Sequence, residues 1–485
     1  VSLKRATFSA SRWTAASTVL VAAIQILQTS VLARILLPGE FGLMAVAAAA
    51  IAVLSLVVDF GLSQALIHFD DTPEQHRSSI FWVNMLLAFG LMAALYIAAP
   101  MVARLYHTDA LAPLLCWTSL VFPLSAVGQQ LRALAAKDLK FEALARIEIS
   151  AAVVACVCAI VAALLHAGVY ALAIAVLANA GAGSLLAWLM LPHDFRPTWH
   201  FRPGETRAYL RFGGYLVGES IANAFHRNAD VFAGGLVVGA GAMGAYSVPR
   251  DLSLRVAASI NSIVTRVGFP VMAQVKHDRA RLKSIYLQTL RMTASVNFPA
   301  YVALGLFAKE IVALLYGQQW RGAVTYLQIL AAWGLIRSTG SPVGSLIYAT
   351  GRTRRAFWWN LALLVVLPVA YWVGARGYSL PGLAATAVIL QLLVLVPSWH
   401  FLVRPSCGAT LTEFLAQFFA PLFCALAAGA LAWLCAHGLP HGTLRLAVGG
   451  TLGGVVYLGL SWVFNRQWII AMLELLHIKR LYRAA

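Results

Sequence analysis

The chain has 485 residues, 61% of them hydrophobic and only 11% charged, with a mean hydropathy of +0.78. An ordinary soluble chain is about a quarter charged, so the several soluble domains that this length would suggest are excluded. The 36 Lys and Arg outnumber the 18 Asp and Glu, for a net charge of +18. There is almost no polar surface on which a nucleic-acid binder would display that surplus, and the composition is that of a polytopic membrane protein with no nucleic-acid partner.

A helix needs about 20 apolar residues to cross the hydrocarbon of a bilayer. Lys4, Arg5 and Arg12 precede the first apolar run, but no small-residue cleavage site ends it, so it reads as a span and not as a signal peptide. Fourteen spans are predicted, at roughly 13–33, 42–67, 80–101, 111–133, 147–166, 169–191, 209–237, 244–271, 286–307, 322–348, 357–374, 380–402, 414–435 and 444–464. The division beside Tyr170 is the least marked of them. The tail, 466–485, sets Trp468, Ile469, Leu473 and Leu476 against Lys479, Arg480 and Arg483, the pattern of an interfacial amphipathic helix.

The expected fold is therefore all-α, with two six-helix pseudo-repeated halves around a central cavity and two extra C-terminal helices. The halves are 1–192 and 209–402, the linker between them is 193–208, and the extra helices occupy 403–465. The N-terminus, the even-numbered loops and the tail hold 23 Lys and Arg, whereas the odd-numbered loops hold only Arg34, Arg104, Lys309, Arg321 and Arg376. The positive-inside rule then places both termini in the cytoplasm. Most of the basicity is topology. The six cysteines form no C-x-x-C pair and read as reduced, apolar core residues.

The halves resemble each other. Pro38-Gly-Glu-Phe-Gly-Leu-Met-Ala has its counterpart in Gly239-Ala-Gly-Ala-Met-Gly-Ala-Tyr, Ser79-Ile-Phe in Ser284-Ile-Tyr, and Tyr106 in Tyr316. Ala136-Lys-Asp-Leu-Lys-Phe similarly matches Gly351-Arg-Thr-Arg-Arg-Ala-Phe. Each half starts in the cytoplasm and has six spans, so the repeats run parallel about an axis along the membrane normal, an alternating-access plan.

Gly239-x-Gly241-x-x-Gly244 has the spacing of a dinucleotide fingerprint, but it joins two apolar helices and fails the strand-to-helix test. No Gly-Lys dipeptide exists, which excludes a Walker A loop, and His437 and His441 are separated by Gly438 and Pro440, which argues against a helical metal pair. No outer loop is large enough for an active site. No catalytic residue, metal or cofactor is expected.

What remains is charge inside the membrane. Span 7 carries Glu219, Asn223, Arg227 and Asp230 at helical spacing, with His226 alongside. Span 8 carries Arg250, Asp251, Arg255, Ser259, Ser262 and Arg266. Span 9 adds Arg291 and Asn297, span 10 adds Arg337, Ser338 and Ser341, span 2 Asp59, and span 1 Gln25 and Gln28. Arg227, Arg255 and Arg337 fall near mid-membrane. Pairing of Asp251 with Arg255 and of Asp230 with Arg227 is the structural alternative. Three uncompensated arginines there would cost about 7–10 kcal/mol, and two acids cannot cancel them all. A water-filled cationic cavity for an anion accounts for the surplus, since guanidinium forks suit phosphate oxygens.

Arg34-Ile-Leu-Leu-Pro-Gly-Glu-Phe-Gly-Leu, Asp59-Phe-Gly-Leu-Ser, Ser79-Ile-Phe-Trp-Val-Asn, Lys137-Asp-Leu-Lys-Phe and Tyr316-Gly-Gln-Gln-Trp together resemble bacterial polysaccharide flippases of the Wzx type. These belong to the multidrug/oligosaccharidyl-lipid/polysaccharide exporter superfamily, and the resemblance covers about residues 10–360. It implies an inner-membrane transporter, not an enzyme, that moves undecaprenyl-pyrophosphate-linked glycan to the outer leaflet for exopolysaccharide, capsule or O-antigen synthesis. Membrane lipids, a polysaccharide polymerase and its co-polymerase are the implied partners. On this reading Arg227, Arg255 and Arg337 contact pyrophosphate, and Arg250, Arg266 and Arg291 form a path. Glu219, Asn223, Gln25 and Gln28 then meet sugar hydroxyls, and Asp59 or Asp230 takes a coupling proton or sodium. A peptidoglycan-precursor flippase or a multidrug antiporter of the same superfamily is the nearer alternative, and a membrane polymerase or ligase the more distant one.

The topology makes a direct prediction. Alkaline phosphatase fused after residue 40, 107 or 316 should be active, and fused after 72, 138 or 277 inactive. The opposite pattern would reverse the orientation.

Overall fold

The computed structural model describes residues 3–69, 72–191, 195, 197–439 and 442–470, with side chains described except at 3–12, 215, 216, 219, 259, 260, 262–267 and 353. Most of the predicted tail helix lies outside the described residues. No β-strand occurs among the described residues. The helices are α1 (Leu3–Ile35), α2 (Pro38–Asp59), α3 (Leu62–His68), α4 (Glu74–Leu105), α5 (Leu111–Ser119), α6 (Val121–Lys137), α7 (Phe141–Leu164), α8 (Tyr170–Met190) and α9 (Pro203–Val238). They continue as α10 (Gly244–Gln274), α11 (Arg279–Leu306), α12 (Ala308–Leu315), α13 (Ala323–Ser338), α14 (Ser341–Thr350), α15 (Thr353–Ser398), α16 (Arg404–Cys407), α17 (Leu411–His437) and α18 (Thr443–Phe464).

Helix fills all fourteen expected spans, and local chemistry explains the breaks. Span 2 stops at Phe60 and Gly61, both left-handed at φ 41 and 68, and resumes as α3. His166 at φ 60 and Gly168 at φ 57 separate α7 from α8, so the division beside Tyr170 is real. Thr410 and Glu413 form a capping box that starts α17. Within α15 the helix is interrupted at Tyr378 and Ser379. A side chain on Gly382 would overlap the Gly374 carbonyl, yet eight residues of straight helix span about 12 Å, so the chain reverses there and α15 contains two arms.

Nine helices among the described residues are long and apolar enough to cross a membrane. Of the helices of 18 residues or more, α9 and α10 fall short, α11 qualifies only together with α12, bent 79° from it, and α13 has only 16 residues. These are the helices on which the sequence concentrates its intramembrane charge.

Two compact units can each be described by itself: residues 1–247 with 360–383, and residues 248–359 with 384–485. In the first, α1 packs on α7, α7 on α8, and α2 on α9. The linker is strapped to α4. Trp82 Nε1 donates to the Thr198 carbonyl at 2.8 Å, Trp82 and Trp199 stack at 4.9 Å, and Ser79 donates to Glu205 at 2.8 Å. His200 also bonds Glu205, and these two hydrogen bonds, that from His200 the larger, hold the Glu205 carboxyl below the usual glutamate range.

The α2–α9 seam is antiparallel and continuous. Gly42 meets Ala240, Val46 meets Gly235, and Gly61 meets Gly213. A Cβ on Gly42 would stand 2.7 Å from Gly244 N, and one on Gly244 would stand 3.1 Å from Gly42 N. Each glycine thus lies against the backbone beside the other, leaving no room for a side chain at either position. Of the glycines that mimic a nucleotide fingerprint, Gly244 serves close packing, and Gly239 takes a positive φ of 95 in the turn.

In the second unit, α11 packs on α13 and α17, and α17 on α18. Glu310 and Arg445, exposed by only 5% and 4%, pair at 3.1 Å and tie α12 to α18. Removing one partner would strand a buried charge, typically at a cost of about 3–5 kcal/mol.

Gly42→Val should force the outer end of the α2–α9 seam apart, since overpacking costs about 1–3 kcal/mol. The expected result is several-fold faster labelling of a single cysteine at the buried Ala47 by an impermeant maleimide, with transport reduced. Gly90→Val, where nothing lies within 4 Å, should change neither.

Candidate functional site

Two polar regions are built inside the membrane-spanning helices. In the second unit, α10, α11, α13 and α14 are joined by side-chain amides. Asn261 on α10 donates to the Ser338 carbonyl at 3.0 Å and to Ser341 Oγ at 2.8 Å, and accepts from Asn297 on α11 at 2.9 Å. One turn and more before it on α10, the Ser253 carbonyl accepts from Tyr301 Oη at 2.6 Å. These two clamps bracket Arg255, and Arg337 directly precedes the clamped Ser338. Amide networks suit this task because, in hydrocarbon, neither partner has water as an alternative.

The arginines stand on that frame. Arg255 is half-buried and, with Asp251, acts electrostatically on the buried Tyr316. The Arg337 guanidinium lies 5.0 Å from the Trp333 ring and acts on Tyr301. Arg250 is buried, with Nη1 3.5 Å from Asp251 Oδ1. Arg291 is engaged elsewhere: it donates at 2.7 Å to Asn465 Oδ1 and at 2.7 Å to Gln467 Oε1. Asn465 in turn donates to Ser295 at 2.7 Å. Arg291 therefore anchors the end of α18 to α11, which differs from the path role expected of it.

In the first unit, Asp230 is buried and accepts from Tyr246 Oη at 2.8 Å. Arg227 is exposed, and Asn223 half-buried, on the same helix. Gln25 and Gln28 are half-buried on α1. The side chains of Glu219 and Arg266 lie outside those described.

The second polar region is wholly within the first unit and was not singled out as a site from sequence. A partly open cavity of about 340 Å³ lies among α2, α3 and α6, lined by the polar Ser55, Ser63, Ser125, Gln129 and Arg132 and the apolar Val58, Phe122 and Ala133. Asp59 bonds two of the wall residues, accepting from Ser63 Oγ at 2.6 Å and from Gln129 Nε2 at 2.7 Å. Arg132 Nη2 donates to the Ser125 carbonyl at 3.3 Å, and Glu148 on α7 acts electrostatically on Arg132. Ser125, Gln129 and Arg132 stand at i, i+4 and i+7, a stripe that a face-by-face reading of span 4 would have revealed. Ser253 and Asn261, eight apart on α10, carry the same kind of signal. Among the described residues, no group of three or more His, Cys, Asp or Glu is placed to hold a metal ion.

Asn261→Leu removes three hydrogen bonds and leaves their partners in an apolar setting. At about 0.6–2 kcal/mol per intramembrane bond, it should lower the thermal midpoint in detergent. Arg337→Ala should leave the midpoint nearly unchanged while abolishing transport. Loss of stability in Arg337→Ala equal to that of Asn261→Leu would mean that Arg337 is structural.

Comparison with known proteins gives consistent relatives. The profile of a family described as polysaccharide biosynthesis protein matches residues 31–325. The lipopolysaccharide biosynthesis protein WzxC of Escherichia coli strain K12 is 28% identical over 426 residues, covering 88% of this chain and 87% of its own length. The succinoglycan biosynthesis transport protein ExoT of Rhizobium meliloti strain 1021 is 27% identical over 460 residues, covering 93% and 91%. A solved structure of the lipid II flippase MurJ in an inward closed conformation superposes with a TM-score of 0.72 at 14% identity, covering 95% of this chain and 100% of that one. At that identity the likeness concerns the fold.

Proposed function

The chain belongs to the polysaccharide biosynthesis protein family, and from that premise we propose that it is a flippase for a lipid-linked glycan. It carries undecaprenyl-pyrophosphate-linked repeat units from the cytoplasmic to the outer leaflet of the bacterial inner membrane by alternating access, with both termini cytoplasmic. One observation carries the reading: among the described residues, the long helices α9 and α10, which bear Arg227, Arg250 and Arg255, are too polar to pass as ordinary spans, and α11, which bears Arg291, passes only together with α12. Lipid would reject such helices unless their polar faces met water or an anionic ligand.

The work divides by chemistry. Arg255 and Arg337 of the second unit bind the pyrophosphate, with Arg250 on the same helix as Arg255, while the polyprenyl tail stays in the bilayer. Asn223, Gln25 and Gln28, all half-buried, serve the glycan. The two sequence repeats move as halves, and the α2–α9 seam is closed at both ends, by Gly42 with Gly244 and by Gly61 with Gly213. Parting at one end while the other stays shut supplies alternating access. No covalent step is involved. A multidrug antiporter would present acids to cationic cargo, and here arginines outnumber acids on the polar helices. The polymerase and co-polymerase that extend the chain outside are the partners of this step.

Export of a pyrophosphate runs with an inside-negative potential, worth about 2.3 kcal/mol per charge per 100 mV. A proton or sodium ion at Asp59 or Asp230 then serves to reset the empty carrier. In proteoliposomes, lipid-linked oligosaccharide should reach the outer leaflet faster when voltage is applied and no ion gradient is present. A rate set by the proton or sodium gradient and indifferent to voltage would overturn the coupling scheme. No translocation under either condition would overturn the flippase reading itself.

A further inference from the structure

We infer that the cavity among α2, α3 and α6 is a sugar site, which takes one neutral pyranose of the glycan cargo; this rests on the flippase reading. Its size is the first argument. At about 340 Å³ it lies at the lower end of ligand pockets, which run from about 300 to 1,000 Å³. It suits one ring and is too small for a repeat unit or a folded polyprenyl chain.

The wall supplies the second argument. Ser55 and Ser125 present hydroxyls that both donate and accept, Ser63 and Gln129 present oxygens that accept while their hydrogens serve Asp59, and Arg132 adds guanidinium donors. Alternating donors and acceptors match the hydroxyls around a pyranose. Phe122, Val58 and Ala133 add apolar surface to the same lining, which suits the C–H groups of the ring.

Charge decides among ligands. A metal cation would need converging lone pairs, but Ser63 and Gln129 turn their hydrogens toward Asp59, and Arg132 shares the wall. An inorganic phosphate or pyrophosphate would meet Arg132 together with the carboxylates of Asp59 and Glu148, and two acids against one arginine disfavour an anion. A neutral polyol suffers neither penalty. Polar groups gathered in this number in one cavity are costly to bury unless such a ligand or water satisfies them. Asp59 on this reading is a positioning residue that orients Ser63 and Gln129, in place of a coupling-ion ligand.

The test uses the full chain in nanodiscs with methyl glycosides of glucose, galactose and mannose, observed by saturation-transfer NMR. At least one glycoside should show saturable transfer, and inorganic pyrophosphate should not compete with it. Ser55→Val fills the cavity without touching the bonds of Asp59, and should weaken that binding at least tenfold; Gln129→Leu should do the same. Arg337→Ala should leave it unchanged. Saturable transfer from no glycoside, or transfer equal in Ser55→Val and wild type, would overturn the inference, as would competition by pyrophosphate. Translocation by the wild type is measured separately. If it proceeds and Ser55→Val leaves its rate and its cargo preference unaltered, the sugar site is wrong and the flippase reading stands. If the wild type translocates nothing while glycosides still bind as described, the flippase reading alone fails.

Discussion

Hydrocarbon offers no hydrogen bonds, and that absence governs everything built into this chain. Each backbone group must be satisfied within its own segment, which is why the described residues contain helices and no strands. Each polar side chain must find a protein partner, water or a ligand. The helices obey this in two ways. Alanine- and leucine-rich elements such as α2 and α8 bury small residues against neighbours, whereas α9, α10, α11 and α13 hold their polar groups in networks.

The networks separate frame from function. Asn261, Asn297, Ser338 and Ser341 are linked by hydrogen bonds, and Tyr301 donates to the Ser253 carbonyl, so these contacts set the helix positions. Arg255 and Arg337 thereby stand at defined places on a rigid support, the arrangement that binding a charged ligand requires. Arg445 and Arg291 show the other use of the same residue type. One is buried in an ion pair with Glu310 and the other holds Asn465, and both tie α18 to its neighbours.

Movement and rigidity meet at the α2–α9 seam. Backbone-to-backbone contact at glycines brings two helices together with no side-chain interlock, so such a seam can part and re-form at low cost. Its two ends are about 27 Å apart along α2 by helical rise, close to the thickness of the hydrocarbon. A carrier needs that geometry, with a closure at each face of the membrane and cargo between. The cavity beside Asp59 opens within this same unit.

Composition and the apolar runs sufficed to reveal an all-α membrane protein, its helical segments and the polarity of those at 209–237 and 244–271. They sufficed because the bilayer imposes a length and an apolarity that a sequence displays directly. The flippase motifs at Arg34–Leu43 and Asp59–Ser63 were legible for the same reason, being short and continuous. The rest depended on which faces meet. Arg291 reads from sequence like Arg255, and only the approach of Asn465 and Gln467, more than 170 positions away, distinguishes an anchor from a ligand-binding group. The cavity of Ser55, Ser63, Ser125, Gln129 and Arg132 draws on three helices, none remarkable alone. Periodicity states that a residue lies on a face; only packing states what that face touches.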